Sequence, residues 1–273
     1  MLCPNCGKLI SRSEPQCPYC ALKRPASFWN RFTSAIGLKH SDRLIRSVVA
    51  VNVGFFLLSL LLSSSRIGLS MNPLVFLSPD IKSLLLLGMT GTVPIDEYGR
   101  WWSLLSANYL HGGILHIFFN MAAFRQLASL AVREFGTYRM FIIYTVGGTA
   151  GFLVSYLAGN DYTIGASAAV CSLIGAVLYY GKSRGGVYGQ AIYRQVGAWA
   201  IGLIIFGLLI PVIDSWGHIG GGIAGALLGA LLGYQEKKRE SQFHRLLAGS
   251  CVSLTIAVLG YAVVTTFLYR FLG

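Results

Sequence analysis

Residues 216–232 read WGHIGGGIAGALLGALL, a histidine at the head of an uncharged run of glycine and aliphatic residues. Glycines follow His218 at three, four, seven and eleven residues, so one face of a helix would carry almost no side-chain bulk. Small residues of this kind let membrane helices approach closely. A histidine within an apolar membrane helix marks a functional site by default. The stretch therefore predicts a membrane helix that packs through Gly221 and Gly225 and presents His218 to a site.

The rest of the chain is similarly apolar. Of its 273 residues, 54% are hydrophobic and 12% are charged, whereas a soluble domain carries roughly 25% charged residues. This composition excludes a soluble globular enzyme, a disordered chain, a disulfide-rich secreted domain and a single-span anchor. We predict an all-α polytopic membrane protein, because several apolar runs approach the ~17–25 residues that cross a bilayer. The predicted spans are about 45–62, 106–127, 140–158, 163–181, 195–213, 217–234 and 246–269.

The basic residues indicate how the chain is oriented. The net charge is +12, and 18 of the 22 Lys and Arg residues fall into four groups that alternate with the spans. The positive-inside rule then predicts a cytoplasmic N-terminus, with basic groups facing lipid head groups rather than nucleic acid. We expect a multi-pass protein of a bacterial cytoplasmic membrane. No cleavable signal peptide is expected, because the chain starts with a polar, cysteine-rich segment.

Four cysteines near the N-terminus, Cys3, Cys6, Cys17 and Cys20, form two C-x-x-C pairs separated by ten residues. Four thiolates so spaced can bind one tetrahedral Zn²⁺; a redox dithiol is the alternative reading. We predict a zinc-ribbon-like segment over residues 1–25, with a structural metal and an unknown cytoplasmic partner. Residues 26–44 would follow as an interfacial linker, either helical or irregular.

A serine and three further polar residues complete the candidate site. Gly165 directly precedes an apolar run, which places Ser167 near a helix N-terminus, where unpaired backbone N–H groups favour negative charge. His116 and Asn120 are four residues apart and share one helix face. Ser167 could instead be a packing residue, and the His116–Asn120 pair could simply join helices by hydrogen bonds.

Taken together, these residues predict a serine–histidine dyad. Ser167 would attack an amide carbonyl, His218 would act as the base, and His116, Asn120 and the Ser167 amide would stabilise the oxyanion. No carboxylate lies within the spans, because Asp161 and Asp214 fall in short outer loops and Glu134 lies on the inner side. We therefore predict a dyad rather than a triad, with no cofactor needed for catalysis.

The sequence resembles the rhomboid family of intramembrane serine proteases over roughly residues 45–235. The resemblance rests on Gly165-Ala-Ser167, on His218 followed by glycines, on residues 111–120 (HGGILHIFFN), and on Glu134-Phe-Gly136 with Arg139. It implies a six-span catalytic domain that cleaves single-pass transmembrane proteins near their outer ends. Residues 246–270 would form an additional seventh transmembrane helix.

Three positions depart from the family pattern. Ser103 follows the paired tryptophans where an arginine is usual, Ala168 replaces a commoner glycine, and Cys171 replaces a common aromatic residue. The first departure puts the usual anchoring of the outer loop in doubt, unless Arg100 substitutes for the missing arginine.

Two other functions are compatible with a polytopic chain of this kind. A non-catalytic rhomboid-like protein would bind membrane clients while the N-terminal segment recruits a cytoplasmic partner. A small-solute transporter would need polar groups near the midplane, often repeated in two halves. The nearly charge-free midplanes and the lack of such a repeat count against the transporter.

Overall fold

The structure is a computed structural model that describes residues 1, 3–4, 9–19, 22–28, 30–31, 41–63, 76–209 and 213–271. Most of these residues are helical, and β-structure among them is limited to isolated bridges. The prediction of an all-α membrane bundle is confirmed. The α-helices within these ranges are α1 (Ser41–Leu62), α2 (Ile81–Leu86), α3 (Ser103–Ser106), α4 (Ile114–Phe135), α5 (Thr137–Leu157), α6 (Ser167–Arg184), α7 (Gly186–Leu209), α8 (Ser215–Leu232) and α9 (Gln242–Phe271).

Five helices in the described part of the chain are long and apolar enough to cross a membrane. They are Asp42–Leu62, Ile114–Phe135, Thr137–Leu157, Ser215–Leu232 and Gln242–Arg270. The predicted fourth and fifth spans correspond to α6 and α7, which are 18 and 24 residues long. The predicted additional helix at the C-terminus corresponds to α9.

The predicted second span begins too early. We expected it over residues 106–127, but α4 starts at Ile114, after the short helix α3 and a 3₁₀ turn at Ala107–Tyr109. The chain is extended at Leu110 and Gly113, and two adjacent glycines favour such a break over a continuous helix. His111 therefore precedes the helix that carries His116.

The tightest packing in the bundle joins α6 and α8. A Cβ atom added to Gly221 would overlap the carbonyl of Ala168, and one added to Gly225 would overlap the carbonyl of Ser172. Both contacts advance in the same direction along the two helices, so α6 and α8 run parallel and begin at the same face of the bundle. Only glycine allows the two backbones to come this close.

The segment between α1 and α4 is fixed by hydrogen bonds from side chains. Arg100 Nη1 donates to the carbonyl of Leu85 at 2.7 Å, so Arg100 anchors this segment to the end of α2. Ser103 is fully buried and its hydroxyl donates to Thr90 Oγ1 at 2.8 Å. Helix α9 adds a third contact, because the Thr266 hydroxyl shares its one hydrogen between the carbonyl of Ala262 in its own helix, at 2.6 Å, and the carbonyl of Leu86, at 3.0 Å.

Arg139 fixes the opposite end of the bundle. Its guanidinium, buried at the start of α5, donates to the carbonyls of Phe135, Lys238 and Arg239. Its backbone N–H donates to Glu240 Oε1 at 2.9 Å. These bonds hold the connection between α8 and α9 against the start of α5.

The described part of the N-terminal segment has a small core of its own. Cys3 and Cys17 are buried in one cluster with Ile10 and Leu22. Arg245 Nη1 on α9 donates to the buried side chain of Asn30, which attaches the segment to the helical bundle. Among the described residues, no three His, Cys, Asp or Glu side chains are grouped so that they could hold a metal ion. The predicted ligands Cys6 and Cys20 lie outside the described residues.

Candidate active site

Ser167 is the first residue of α6 and is half-buried. Gly165, two residues earlier, has φ +129° and donates its N–H to the carbonyl of Ala107 at 2.9 Å. This conformation turns the chain sharply into the helix, and L-residues with a side chain rarely adopt it. The turn leaves the backbone N–H groups of the first turn of α6 without helical acceptors.

His116 lies directly beside this turn. A Cβ atom placed on Gly165 would fall 2.7 Å from His116 Nε2 and 3.5 Å from Ser167 Oγ, so the imidazole and the serine hydroxyl border the same small space. The N–H of Gly112 donates to His116 Nδ1 at 3.3 Å. Because Nδ1 accepts a hydrogen bond, the neutral ring carries its proton on Nε2, the nitrogen next to Gly165.

Asn120 lies one turn after His116 and is buried. Its side-chain Nδ2 donates to the carbonyl of His116 at 2.9 Å, which uses one of its two hydrogens. The contacts of the described residues bring His116, rather than Asn120, beside Gly165 and Ser167.

His218 lies in the first turn of α8 and is half-buried. The contact between Gly221 and Ala168 fixes its level, because Ala168 adjoins Ser167 and Gly221 follows His218 by one turn. The hydroxyl of Ser167 makes no hydrogen bond to the His218 ring in the described structure, and such bonds often tighten only when substrate binds.

His111 is fully buried behind His116. The two rings pack edge to face with centroids 5.1 Å apart, and neither ring nitrogen of His111 has a hydrogen-bond partner in the described part of the chain. Burial lowers the pKa of His111 well below its ordinary value, and His116 lowers it further. His111 is therefore neutral and fills space behind the site.

The sequence analysis assigned Asp214 to an outer loop without a role in the site, but the structure attaches it to the start of the helix that carries His218. Its carboxylate accepts hydrogen bonds from the N–H of Gly217, from Asn160 Nδ2 and from Thr163 Oγ1. The available signal was an aspartate directly before an apolar helix, which is the typical position of an N-cap. The bonds from Asn160 and Thr163, which lie more than 50 residues before Asp214, could not be found from the sequence.

Fold and site together define a helical membrane protein in which three helices begin at one face and carry the polar residues His116, Ser167 and His218 in their first turns. The family model of the Rhomboid domain matches residues 98–235, half of the chain, and the chain belongs to this family. The match includes Ser167, His218, His116 and Asn120. With its apolar helices, this makes the chain an integral, multi-pass membrane protein.

Curated relatives include both a named protease and a protein named inactive. The chain is 35% identical to "Rhomboid protease GluP" of Bacillus subtilis (strain 168) over 127 residues, which are 45% of the chain and 24% of GluP. It is 32% identical to "RHOMBOID-like protein 4" of Arabidopsis thaliana over 152 residues, or 55% of the chain and 38% of that protein. It is 30% identical to "Inactive RHOMBOID-like protein 8" of Arabidopsis thaliana over 155 residues, or 56% and 44%. The chain thus spans less than half the length of these relatives.

Proposed function

We propose that this chain is an intramembrane serine endopeptidase that cleaves single-pass transmembrane proteins near the outer face of the membrane. The observation that carries the proposal is that Ser167 Oγ and His116 Nε2 both border the space beside Gly165 at a helix N-terminus. A nucleophile beside fixed hydrogen-bond donors suits acyl transfer. The parallel packing of α6 and α8 supports the assignment of His218 as the base.

The proposed reaction proceeds in two steps. Ser167 Oγ attacks the substrate carbonyl carbon while His218 accepts the hydroxyl proton, and the tetrahedral intermediate collapses as His218 returns that proton to the leaving amine. A water molecule then attacks the acyl-enzyme, again with His218 as base, and releases the carboxylic acid and the serine. These steps need no metal or other cofactor.

The oxyanion would be held by His116 Nε2–H, the backbone N–H of Ser167 and the remaining N–H of Asn120. His116 is the best supported of the three, because its tautomer directs a hydrogen towards Gly165. The dipole of α6 adds to this stabilisation, since negative charge at a helix N-terminus is favourable.

The proposed orientation places the N-terminus in the cytoplasm of a bacterium and the site near the outer face. The alternation of basic groups with the spans supports it. In this orientation Arg139 and the α8–α9 connection lie on the cytoplasmic side, while Ser167 and His218 lie on the other side. Water for deacylation would enter from the outer side.

We also propose that the N-terminal segment binds one structural Zn²⁺ through Cys3, Cys6, Cys17 and Cys20 and recruits a cytoplasmic partner. The burial of Cys3 and Cys17 in a single cluster supports this, since it brings one cysteine of each C-x-x-C pair together. A segment of this size has too small a core to fold alone, so the metal would supply folding energy.

A second candidate is a rhomboid-like protein that binds membrane clients without cleaving them. The relative named inactive favours it. Incubating the purified protein with a single-span substrate in liposomes separates the two candidates. If the protein is a protease, the wild type cleaves the substrate and Ser167→Ala does not. The control Ser129→Ala, which changes an exposed serine towards the inner end of α4, should still cleave. Client binding without cleavage by the wild type would support the second candidate.

A further inference from the structure

The Asp214 carboxylate is a shared acceptor between two parts of the site. Oδ1 accepts from the Gly217 N–H at 2.8 Å and from Asn160 Nδ2 at 2.9 Å. The first of these bonds makes Asp214 the N-cap of α8, four residues before His218. Oδ2 accepts from Thr163 Oγ1 at 2.8 Å. One carboxylate therefore joins the first turn of the His218 helix to the connection that ends at Ser167.

The partners on the Ser167 side are themselves fixed. Thr163 is buried and exchanges two backbone hydrogen bonds with Thr90, at 2.7 and 3.2 Å. Asn160 Nδ2 also donates to Ser155 Oγ at 2.8 Å, and its carbonyl accepts from the Thr92 N–H at 2.9 Å. Asp214 is thus attached to a rigid part of the structure and not to a free loop.

We propose that Asp214 is a positioning residue, whose carboxylate sets the distance between His218 and Ser167 by bracing the starts of α8 and α6 against each other; this rests on the proposed protease function. The glycine contacts between the two helices begin only at Gly221, one turn below His218. Above that point the described contacts that tie α8 to the Ser167 connection run through Asp214 to Asn160 and Thr163. A carboxylate suits the task, because its two oxygens can accept several hydrogen bonds at once.

The side chain at 214 can be changed to separate bracing from charge. Asparagine can keep all three bonds, with its oxygen accepting from Gly217 and Asn160 and its amide donating to the Thr163 hydroxyl. Alanine removes all three. Asp161 is the matched control: it lies in the same connection and is exposed, and its carboxylate accepts from Thr92 rather than from the His218 helix.

The experiment measures kcat and KM for a single-span substrate in liposomes, with active sites counted by a serine-reactive fluorophosphonate probe. We expect Asp214→Ala to lower kcat per labelled site by about 10–10²-fold with KM little changed, since small displacements of reacting groups cost this much. The kcat per labelled site of Asp214→Asn should stay within about three-fold of the wild-type value. That of Asp161→Ala should equal the wild-type value. Thr163→Val should lower kcat less than Asp214→Ala and add nothing to it in the double variant.

With an active wild-type protein, two results would overturn the proposal. Wild-type kcat per labelled site in Asp214→Ala would show that the brace does not position the dyad. Equal defects in the asparagine and alanine variants would assign the effect to charge rather than to bracing. Should Asp214→Ala yield no folded protein, Thr163→Val, which removes one bond, decides between the same outcomes. A wild-type protein that neither cleaves nor reacts with the probe would refute the protease function, and this inference with it.

Discussion

Substituting Gly165 by alanine perturbs the space that Ser167 and His116 share. The added methyl carbon would lie 2.7 Å from His116 Nε2 and 2.9 Å from His116 Cε1, both closer than van der Waals contact allows. The imidazole must move away from the serine, or the turn must distort. Either change removes a donor from the place where the oxyanion forms.

The magnitude follows from two contributions. Loss of one oxyanion donor lowers kcat by about 10²–10³-fold, or roughly 2.7–4 kcal/mol of transition-state stabilisation. Residue 165 also has φ +129°, and a residue with a side chain in such a region costs about 1–3 kcal/mol of folding stability. We therefore expect kcat to fall by at least about 10²-fold in protein that is still folded.

Gly159→Ala is the matched control for backbone strain. Gly159 lies in the same connection between α5 and α6 and has φ +83°, but an added Cβ atom there would meet nothing within 4 Å. It should lose stability and keep wild-type kcat per folded molecule. Cleavage of a single-span substrate in liposomes, with thermal unfolding in parallel, measures both variants. Wild-type kcat in Gly165→Ala, or equal loss in both variants, would refute the assignment of His116 to the oxyanion site.

Three further predictions concern stability. His111 stays neutral in the folded protein, whereas in the unfolded chain it takes up a proton below about pH 6.5. The free energy of unfolding should therefore fall by up to about 1.4 kcal/mol per pH unit below that value. The substitution His111→Leu should flatten this dependence, and an unchanged pH–stability curve would contradict the reasoning. Gly225→Ala should lower the free energy of unfolding by about 1–3 kcal/mol or more, because its methyl group meets the Ser172 carbonyl. Gly260→Ala, whose added Cβ atom meets nothing within 4 Å in the interior of α9, should leave that free energy unchanged or raise it by up to about 1 kcal/mol in the same assay. Metal analysis should find about one zinc per chain. Chelator or the substitution Cys3→Ser should remove the zinc and should also make the N-terminal segment sensitive to protease. A segment that stays fully protected without metal would refute the zinc proposal.

Much of the fold could be predicted from the sequence, because the length of an apolar run and the spacing of glycines along it can be read from neighbouring residues alone. The predicted helix after residue 216 and the additional helix near the C-terminus correspond to α8 and α9. The predicted span started too early, because residues 106–113 (SANYLHGG) were counted as part of it. Their polar side chains and the glycine pair at its end were given too little weight.

The anchoring of the segment before α4 depends on tertiary contacts and could not be derived. The sequence left open whether Arg100 replaces the arginine absent at position 103. In the structure Arg100 binds the carbonyl of Leu85, while Ser103 binds Thr90. The tie from Thr266 joins residues 180 positions apart, and no local pattern reports such a pairing.

Part of the candidate site could likewise be predicted from the sequence, and part could not. Residue types and helix positions indicated Ser167, His116 and His218, because each is an unusual polar residue in an apolar helix. The part played by Gly165 in shaping the space between Ser167 and His116, and the bonds of Asp214, require coordinates. Both are relations between side chains that are distant in sequence.

The most direct test of the proposed function is proteolysis by purified protein in liposomes, with a substrate of one transmembrane segment and wild type beside Ser167→Ala. We predict that the wild type cuts the substrate near its outer end and that the alanine variant, folded to the same extent, produces no fragment. An equal amount of fragment from both proteins, or none from folded wild type across several substrates, would contradict the assignment of Ser167 as the nucleophile of an intramembrane protease.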